Sequence, residues 1–247
     1  MREETAKKIL DKVRDDYDAI AEYFSETRTK PWPAMERFRD SVKPGDRVLD
    51  VGCGNGRAYQ LFAGLAIEYE GIDVSGELIR RARSLWRDQL VNFRVGSALA
   101  LPYEGDEFDA VLAVAMLHHV PSERYRLQAL REMHRVLKPG GRLLMTNWYL
   151  WNPTYVIGNL WRLARTFFGK ILGLTDLDYN DVWHPWKRGP VKVDRYYHDF
   201  TVGELRRLCR AAGFEMAEMY VASARDGRKA RWLRGSDNIV TICRKKA

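Results

Sequence analysis

Val48-Leu49-Asp50-Val51-Gly52-Cys53-Gly54-Asn55-Gly56, followed at Gly71-Ile72-Asp73 by a second apolar run ending in an acid, decides the fold. An apolar strand that enters a glycine-rich turn lets main chain approach a ligand closely, because glycine has no Cβ and tolerates positive φ. The pair reads as the nucleotide-binding end of an α/β sheet, with the ligand seated on backbone amides. Asp73 is then placed to accept hydrogen bonds from both hydroxyls of a ribose.

The spacing narrows the ligand. A nicotinamide or flavin fold requires G-x-G-x-x-G over a pyrophosphate, whereas this turn is G-x-G-x-G with Asp50 ahead of it. An acid there suits a cationic ligand and repels a pyrophosphate, which disfavours a dehydrogenase. The turn resembles motif I of the S-adenosylmethionine (SAM) methyltransferases, whose cofactor carries a sulfonium and an ammonium but no phosphate. A glycine turn in some other α/β protein is the alternative.

The order of elements favours the methyltransferase. Apolar runs at 46–50, 68–73, 91–95, 108–114 and 141–148 alternate with helical patterns near 57–65, 76–88 and 122–136, which implies parallel strands joined by helices. Leu137-Lys138-Pro139-Gly140-Gly141 ends a helix and starts the fifth strand, with the proline and glycine expected at that boundary. Two further runs, Met216 to Ala222 and Asn238 to Cys243, read as a closing antiparallel hairpin. The expected fold is α/β: a doubly wound, mostly parallel seven-stranded sheet with a C-terminal antiparallel hairpin, the Rossmann-like methyltransferase fold. Residues 1–247 read as one domain, with an N-terminal helix and lid over 1–40 and an insertion or cap over 151–199.

Bulk properties set limits. The 247 residues suffice for a full core. The longest apolar run, around Ala110 to Leu117, is far too short to span a bilayer, and Met1 to Phe24 is charged and helical, without the apolar region of an export signal. Cys53, Cys209 and Cys243 lack paired spacing, against a disulfide framework or a self-contained zinc site. These features predict a cytoplasmic protein with neither metal nor membrane partner.

The net charge of +8 is localised. Residues 1–150 carry 23 Lys and Arg against 23 Asp and Glu, while 151–247 carry 18 against 10. The surplus falls at Lys187, Arg188, Lys192 and Arg195, in a helix with Arg206, Arg207 and Arg210, and in the run Arg225, Arg228, Lys229, Arg231, Arg234 with Trp232 among them. Loops leaving the fifth and sixth strands emerge at the ligand-binding edge, so this charge is expected around the cofactor mouth, where it fits a polyanion such as RNA. The three helical arginines fit a solvated helix face equally well.

Four local motifs remain. Phe24-Ser25-Glu26-Thr27-Arg28-Thr29-Lys30-Pro31-Trp32-Pro33 is stiffened by its prolines and reads either as a clamp for carboxylates or as a rigid linker. Ala115-Met116-Leu117-His118-His119 closes the fourth strand. Val182-Trp183-His184-Pro185-Trp186-Lys187 and Arg195-Tyr196-Tyr197-His198-Asp199-Phe200 precede Gly203-Glu204-Leu205. Singly, each fits core packing.

In this order they resemble the SAM-dependent tRNA methyltransferases that esterify 5-carboxymethyluridine at the wobble position, over roughly residues 15–243. The resemblance implies that Arg28, His119 and Arg195 line the acceptor pocket, the arginines orienting the carboxylate and His119 hydrogen-bonding the uracil or the acid without abstracting a proton. It places Lys30, Trp32, Asp50, Gly52, Cys53, Gly54, Gly56, Asp73, Val74, Ser97, Ala98, Leu99 and Ala115 around SAM. Where such enzymes often carry Gly-Asp-Ala for the adenine, this chain has Gly96-Ser97-Ala98, an uncharged acceptor. The implied partners are tRNA and the small zinc-ribbon activator of eukaryotic and archaeal members. A small-molecule (quinone or organic acid) methyltransferase and a non-catalytic SAM-binding protein are the alternatives. The segment from Trp151 to Asp181, rich in Trp, Leu and Phe, reads as an amphipathic helical cap or partner surface.

Overall fold

The computed structural model describes residues 1–149, 151, 153–223, 225–230 and 236–247. In chain order these form α1 (Glu3–Thr27), α2 (Glu36–Arg39), β1 (Arg47–Val51), β2 (Glu68–Asp73), α3 (Gly76–Leu85), β3 (Val91–Val95), β4 (Phe108–Val114), α4 (Glu123–Val136), β5 (Leu137–Trp148), α5 (Pro153–Ile171), β6 (Asp181–Pro185), β7 (Asp194–His198), α6 (Val202–Ala211), β8 (Glu215–Ser223) and β9 (Ser236–Arg244). Seven strands make one sheet in the order β3-β2-β1-β4-β5-β9-β8. The first five run parallel, and β9 is antiparallel to both neighbours, which is the expected doubly wound sheet with its C-terminal hairpin.

Alternation along the strands loads both faces. Leu49 and Val51 of β1, Val111 and Ala113 of β4, and Leu143 and Met145 of β5 pack with Leu130 and Met133 of α4 and Leu205 and Leu208 of α6. Val48, Ala110, Leu112 and Leu144 point the other way, onto Phe38, Phe62, Ile79 and Ala82. Each strand is therefore buried on both sides, which is why these runs read as continuously apolar. Chain order reverses between β1 and β4, so the crevice beyond their carboxyl ends is the ligand-binding position of such sheets.

Two segments differ from the expected elements. Residues 57–65 form a 3-10 turn, Arg57–Phe62, because Gly64 in the left-handed region ends it before an α-helical ladder becomes favourable. The Trp183 and Tyr196 motifs are the strands of a separate antiparallel pair, β6 with β7. Five-residue runs that mix aromatic and charged side chains give too little periodicity to reveal it.

The β7 end is latched by charge. Buried His198 meets Asp181 at 2.7 Å and Glu204 at 2.9 Å, and Asp181 also accepts the Tyr196 hydroxyl at 2.7 Å. Burial opposes a charged imidazole, but the hydrogen bonds to the two acids outweigh it and raise the His198 pKa. A raised folded-state pKa contributes stability that is complete below the unfolded value of about 6.5 and is lost as pH rises through the folded value. We expect His198→Gln to cost about 2 kcal/mol below pH 6.5, the scale of a hydrogen bond to a charged group, and to flatten the loss of melting temperature above it. Parallel curves of melting temperature against pH for the two proteins would exclude this latch.

Candidate active site

A cavity of about 300 Å³ opens at the reversal point between β1 and β4. Its floor is the glycine turn. Gly52, Gly54 and Gly56 all have positive φ, and a Cβ on Gly52 would collide with the Met116 side chain, so only glycine fits there. Contrary to the expectation of free amides, Gly52 and Cys53 donate to the Ile72 carbonyl, Gly54 to Asp73 and Gly56 to the Cys53 carbonyl. A turn this tight satisfies its own donors and leaves few for a phosphate, in accord with a cationic ligand.

The charges facing the floor carry the same message. Asp73 accepts from the amides of Gly54 and Ser75, both at 2.9 Å, which aims its carboxylate into the cavity. Burial raises its pKa. Asp50 accepts the Tyr69 hydroxyl at 2.6 Å on one oxygen, while its other oxygen is buried without a partner. Burial pushes its pKa up to about 7. Arg57, the residue after the turn, lies with its guanidinium 4.0 Å from the Trp32 ring centre and one buried nitrogen unpartnered. Burial, then the neighbouring Arg28, lowers its pKa to about 10. A buried acid and a buried base, each with an open hydrogen-bonding position, complement the ammonium and carboxylate of an amino-acid zwitterion such as the methionine end of SAM. The residues present fit the cofactor.

The opposite wall is cationic and aromatic. Arg195 is 5% exposed, with its guanidinium 4.9 Å from the Trp186 ring centre and 5.2 Å from that of Tyr197. Its Nε has no partner. Arg28 lies near the Phe24 and Trp32 rings; burial first, then Arg188 and Arg195, lowers its pKa. Among the described residues, no carboxylate forms an ion pair with Arg28, Arg57 or Arg195. Three guanidiniums sharing one cavity without an acid partner raise the potential there and favour an anion.

His119 also lines this wall, but its ring is fully engaged. Nδ1 is 2.9 Å from the Tyr196 carbonyl and Nε2 is 2.8 Å from the Tyr17 hydroxyl. A carbonyl only accepts, so Nδ1 carries the proton and Nε2 receives the one from Tyr17. Burial lowers the His119 pKa to about 3, which keeps the ring neutral. No ring nitrogen is left for an acceptor, so the expected hydrogen bond from His119 to the uracil is replaced by an anchor for Tyr17. His118 is buried and stacked on Tyr197.

The other expected residues divide by geometry. Trp32, Cys53, Val74, Ser97, Ala98, Leu99 and Ala115 line the cavity, Ala115 in the left-handed region at the end of β4, where backbone strain clusters at working sites. Burial, then Asp50 and Asp73, pushes the Cys53 thiol up and keeps it neutral. Lys30 does not line it: Trp32, which precedes the 3-10 turn Pro33–Met35, points inward while Lys30 stays exposed. Gly56 is also outside the lining, and instead admits Phe93 and Trp86, which a Cβ would strike. Tyr17, Phe24 and Arg57 were not expected. Tyr17 follows the buried Ile9 and Val13 at four-residue spacing on α1, the one sequence signal that points it inward. Of the basic groups outside the cavity, Lys187, Arg188 and Lys192 are exposed in the β6–β7 connection. Arg206, Arg207 and Arg210 form the solvated face of α6, with Arg207 paired to Glu123. Arg231, Trp232 and Arg234 lie outside the described residues.

Comparison with known proteins agrees with this chemistry. Residues 49–145 match the family model described as a methyltransferase domain. The chain is 31% identical over 226 residues, 83% of its length and 90% of the relative's, to the tRNA (carboxymethyluridine(34)-5-O)-methyltransferase of Schizosaccharomyces pombe. It belongs to the class I tRNA wobble carboxymethyluridine methyltransferase family. This SAM-dependent methyltransferase is also 39% identical over 147 residues to the protein of the same name from Arabidopsis thaliana, covering 59% of the chain but only 34% of that relative. A solved structure described as a complex between the Haloferax volcanii Trm112 methyltransferase activator and a putative methyltransferase shares the fold. Its TM-score is 0.67 at 21% identity, over 95% of this chain and 98% of that one. No helix among the described residues of the methyltransferase is long and apolar enough to cross a membrane.

Proposed function

We propose that the methyltransferase esterifies the carboxylate of 5-carboxymethyluridine at the wobble position of tRNA. The observation that carries this reading is the cavity wall of Arg28 and Arg195, neither paired with an acid among the described residues, facing the acids of the turn. When bound, SAM supplies a methyl group whose bond to sulfur breaks as a bond to a carboxylate oxygen forms, leaving S-adenosylhomocysteine. A carboxylate is already an anion at neutral pH, so no base is needed, consistent with a His119 whose nitrogens are both occupied. Arg195 and Arg28 orient the acceptor, and the aromatic walls exclude water that would screen both charges. Asp73 holds the ribose hydroxyls, and Asp50 with Arg57 holds the amino-acid end.

Exposed Lys187, Arg188 and Lys192 beside the mouth support a polyanionic acceptor. A zinc-ribbon activator, by analogy with the Haloferax complex, would find a free sheet edge at β3, where Leu85, Leu90 and Val95 are exposed. The proposed location is the cytoplasm, and the proposed organisation is one domain with a lid over 1–40 and a cap over 151–199. The test is mass spectrometry of tRNA nucleosides from a deletion strain. Accumulation of the free acid with loss of its methyl ester is expected. An unchanged profile would reject this acceptor and turn attention to small carboxylic acids.

A further inference from the structure

Helix α5 turns an apolar face to solvent. Ile157, Leu160, Trp161, Phe168 and Ile171, with Leu172 just past its end, are each more than half exposed, from 57% at Ile171 to 78% at Ile157. At about 100° per residue they fall within an arc of about 120°. Tyr155, on the other side, stacks on His184 of β6. A surface helix ordinarily buries such a stripe and exposes its polar face, so α5 is inverted, and its six exposed apolar residues share one face where a soluble surface shows scattered single residues. The only charges in α5 are Arg162, Arg165 and Lys170, and no Asp or Glu occurs from Met133 to Thr175. By the same rotation Arg165 lies about 20° beyond one edge of the stripe, while Lys170 turns toward the side of Tyr155.

We propose that α5 is an interfacial helix that lays this stripe into the headgroup region of an anionic lipid bilayer, with exposed Arg165 at its edge against the lipid phosphates. Aromatic and aliphatic side chains on one face, a cation at its border, two more cations in the helix and no acid suit binding in the plane of an anionic membrane. A second copy of the chain is the poorer occupant: two such stripes face to face bring cations together with no acid to pair them. The 19 residues of α5 lie on the bilayer and do not cross it. This revises the expectation that the protein has no membrane partner, and it is independent of which acceptor is methylated.

The test is flotation of the full chain with phosphatidylcholine vesicles, with and without phosphatidylglycerol. Binding is expected only to the mixed vesicles and should weaken as salt is raised. The double variant Leu160→Ser/Phe168→Ser should bind them about a hundredfold more weakly while keeping the wild-type SAM affinity and melting temperature. The proposal is overturned if the wild type does not float with the mixed vesicles or if the double variant floats equally well. If the wild type fails to float, stripe-dependent dimers in sedimentation would assign the face to a second copy, and stripe-dependent tRNA affinity would assign it to RNA.

Discussion

Replacing Arg195 with methionine should abolish most methyl transfer without weakening the fold. Arg195 is 5% exposed between Trp186 and Tyr197, has no acid partner among the described residues and leaves Nε unsatisfied. In the absence of an anionic acceptor this is a buried, uncompensated cation, which destabilises the folded state. Methionine fills similar volume without the charge. Arg195→Met is therefore expected to lower kcat/KM for the acceptor by about 10²- to 10³-fold, the scale of a lost charge-stabilising donor in a dry site, while the melting temperature holds or rises. SAM affinity by calorimetry should stay at the wild-type value, because Asp50, Asp73 and Arg57 are untouched. If SAM binding is lost as well, Arg195 belongs to the cofactor side and the proposed division of the cavity is wrong.

The complementary result is expected at Asp73. Its carboxylate is aimed by two backbone donors, Gly54 and Ser75. In Asp73→Asn the amide must turn its NH₂ toward one of those donors or toward the ribose, so one acceptor site is lost and the turn loosens. With charge-assisted hydrogen bonds worth about 1.5–3 kcal/mol each, SAM affinity should fall by about 10²-fold. Calorimetry across pH adds a second signature in the wild type. Burial holds Asp50 at about 7, and a cationic ligand prefers the ionised acid. Affinity should therefore rise with pH through about 7 and then level off, with proton release on binding below that point. A flat profile would show that Asp50 does not meet the ammonium.

The contrast between these residues shows how much of the site was legible beforehand. The positions of Asp50, Gly52 and Asp73 are readable because they are fixed locally: a strand end, a turn that needs positive φ, and the acid closing the next strand. Motif order points to Arg28 and Arg195, and both line the cavity, but it does not show what surrounds them. His119 shows the limit. Its place at the end of β4 was legible, but its freedom to bond was not. That is set by the Tyr196 carbonyl, 77 residues away, and by Tyr17, 102 residues away in sequence. Lys30 lies outside the cavity for a related reason, because the side of the lid that faces inward follows from how Trp32 packs.

The sequence by itself determined the doubly wound sheet, the cationic character of the ligand and the basic bias of the last hundred residues. Each follows from patterns written in short windows: apolar runs, glycine spacing and counts of charge. Only the tertiary structure decided that the amides of the turn are consumed internally, that Arg57 and Asp50 face one cavity with open hydrogen-bonding positions, and that α5 shows its apolar face to solvent. Those facts depend on which distant groups satisfy a donor or cover a face, and partners separated by tens of residues leave no mark in local composition.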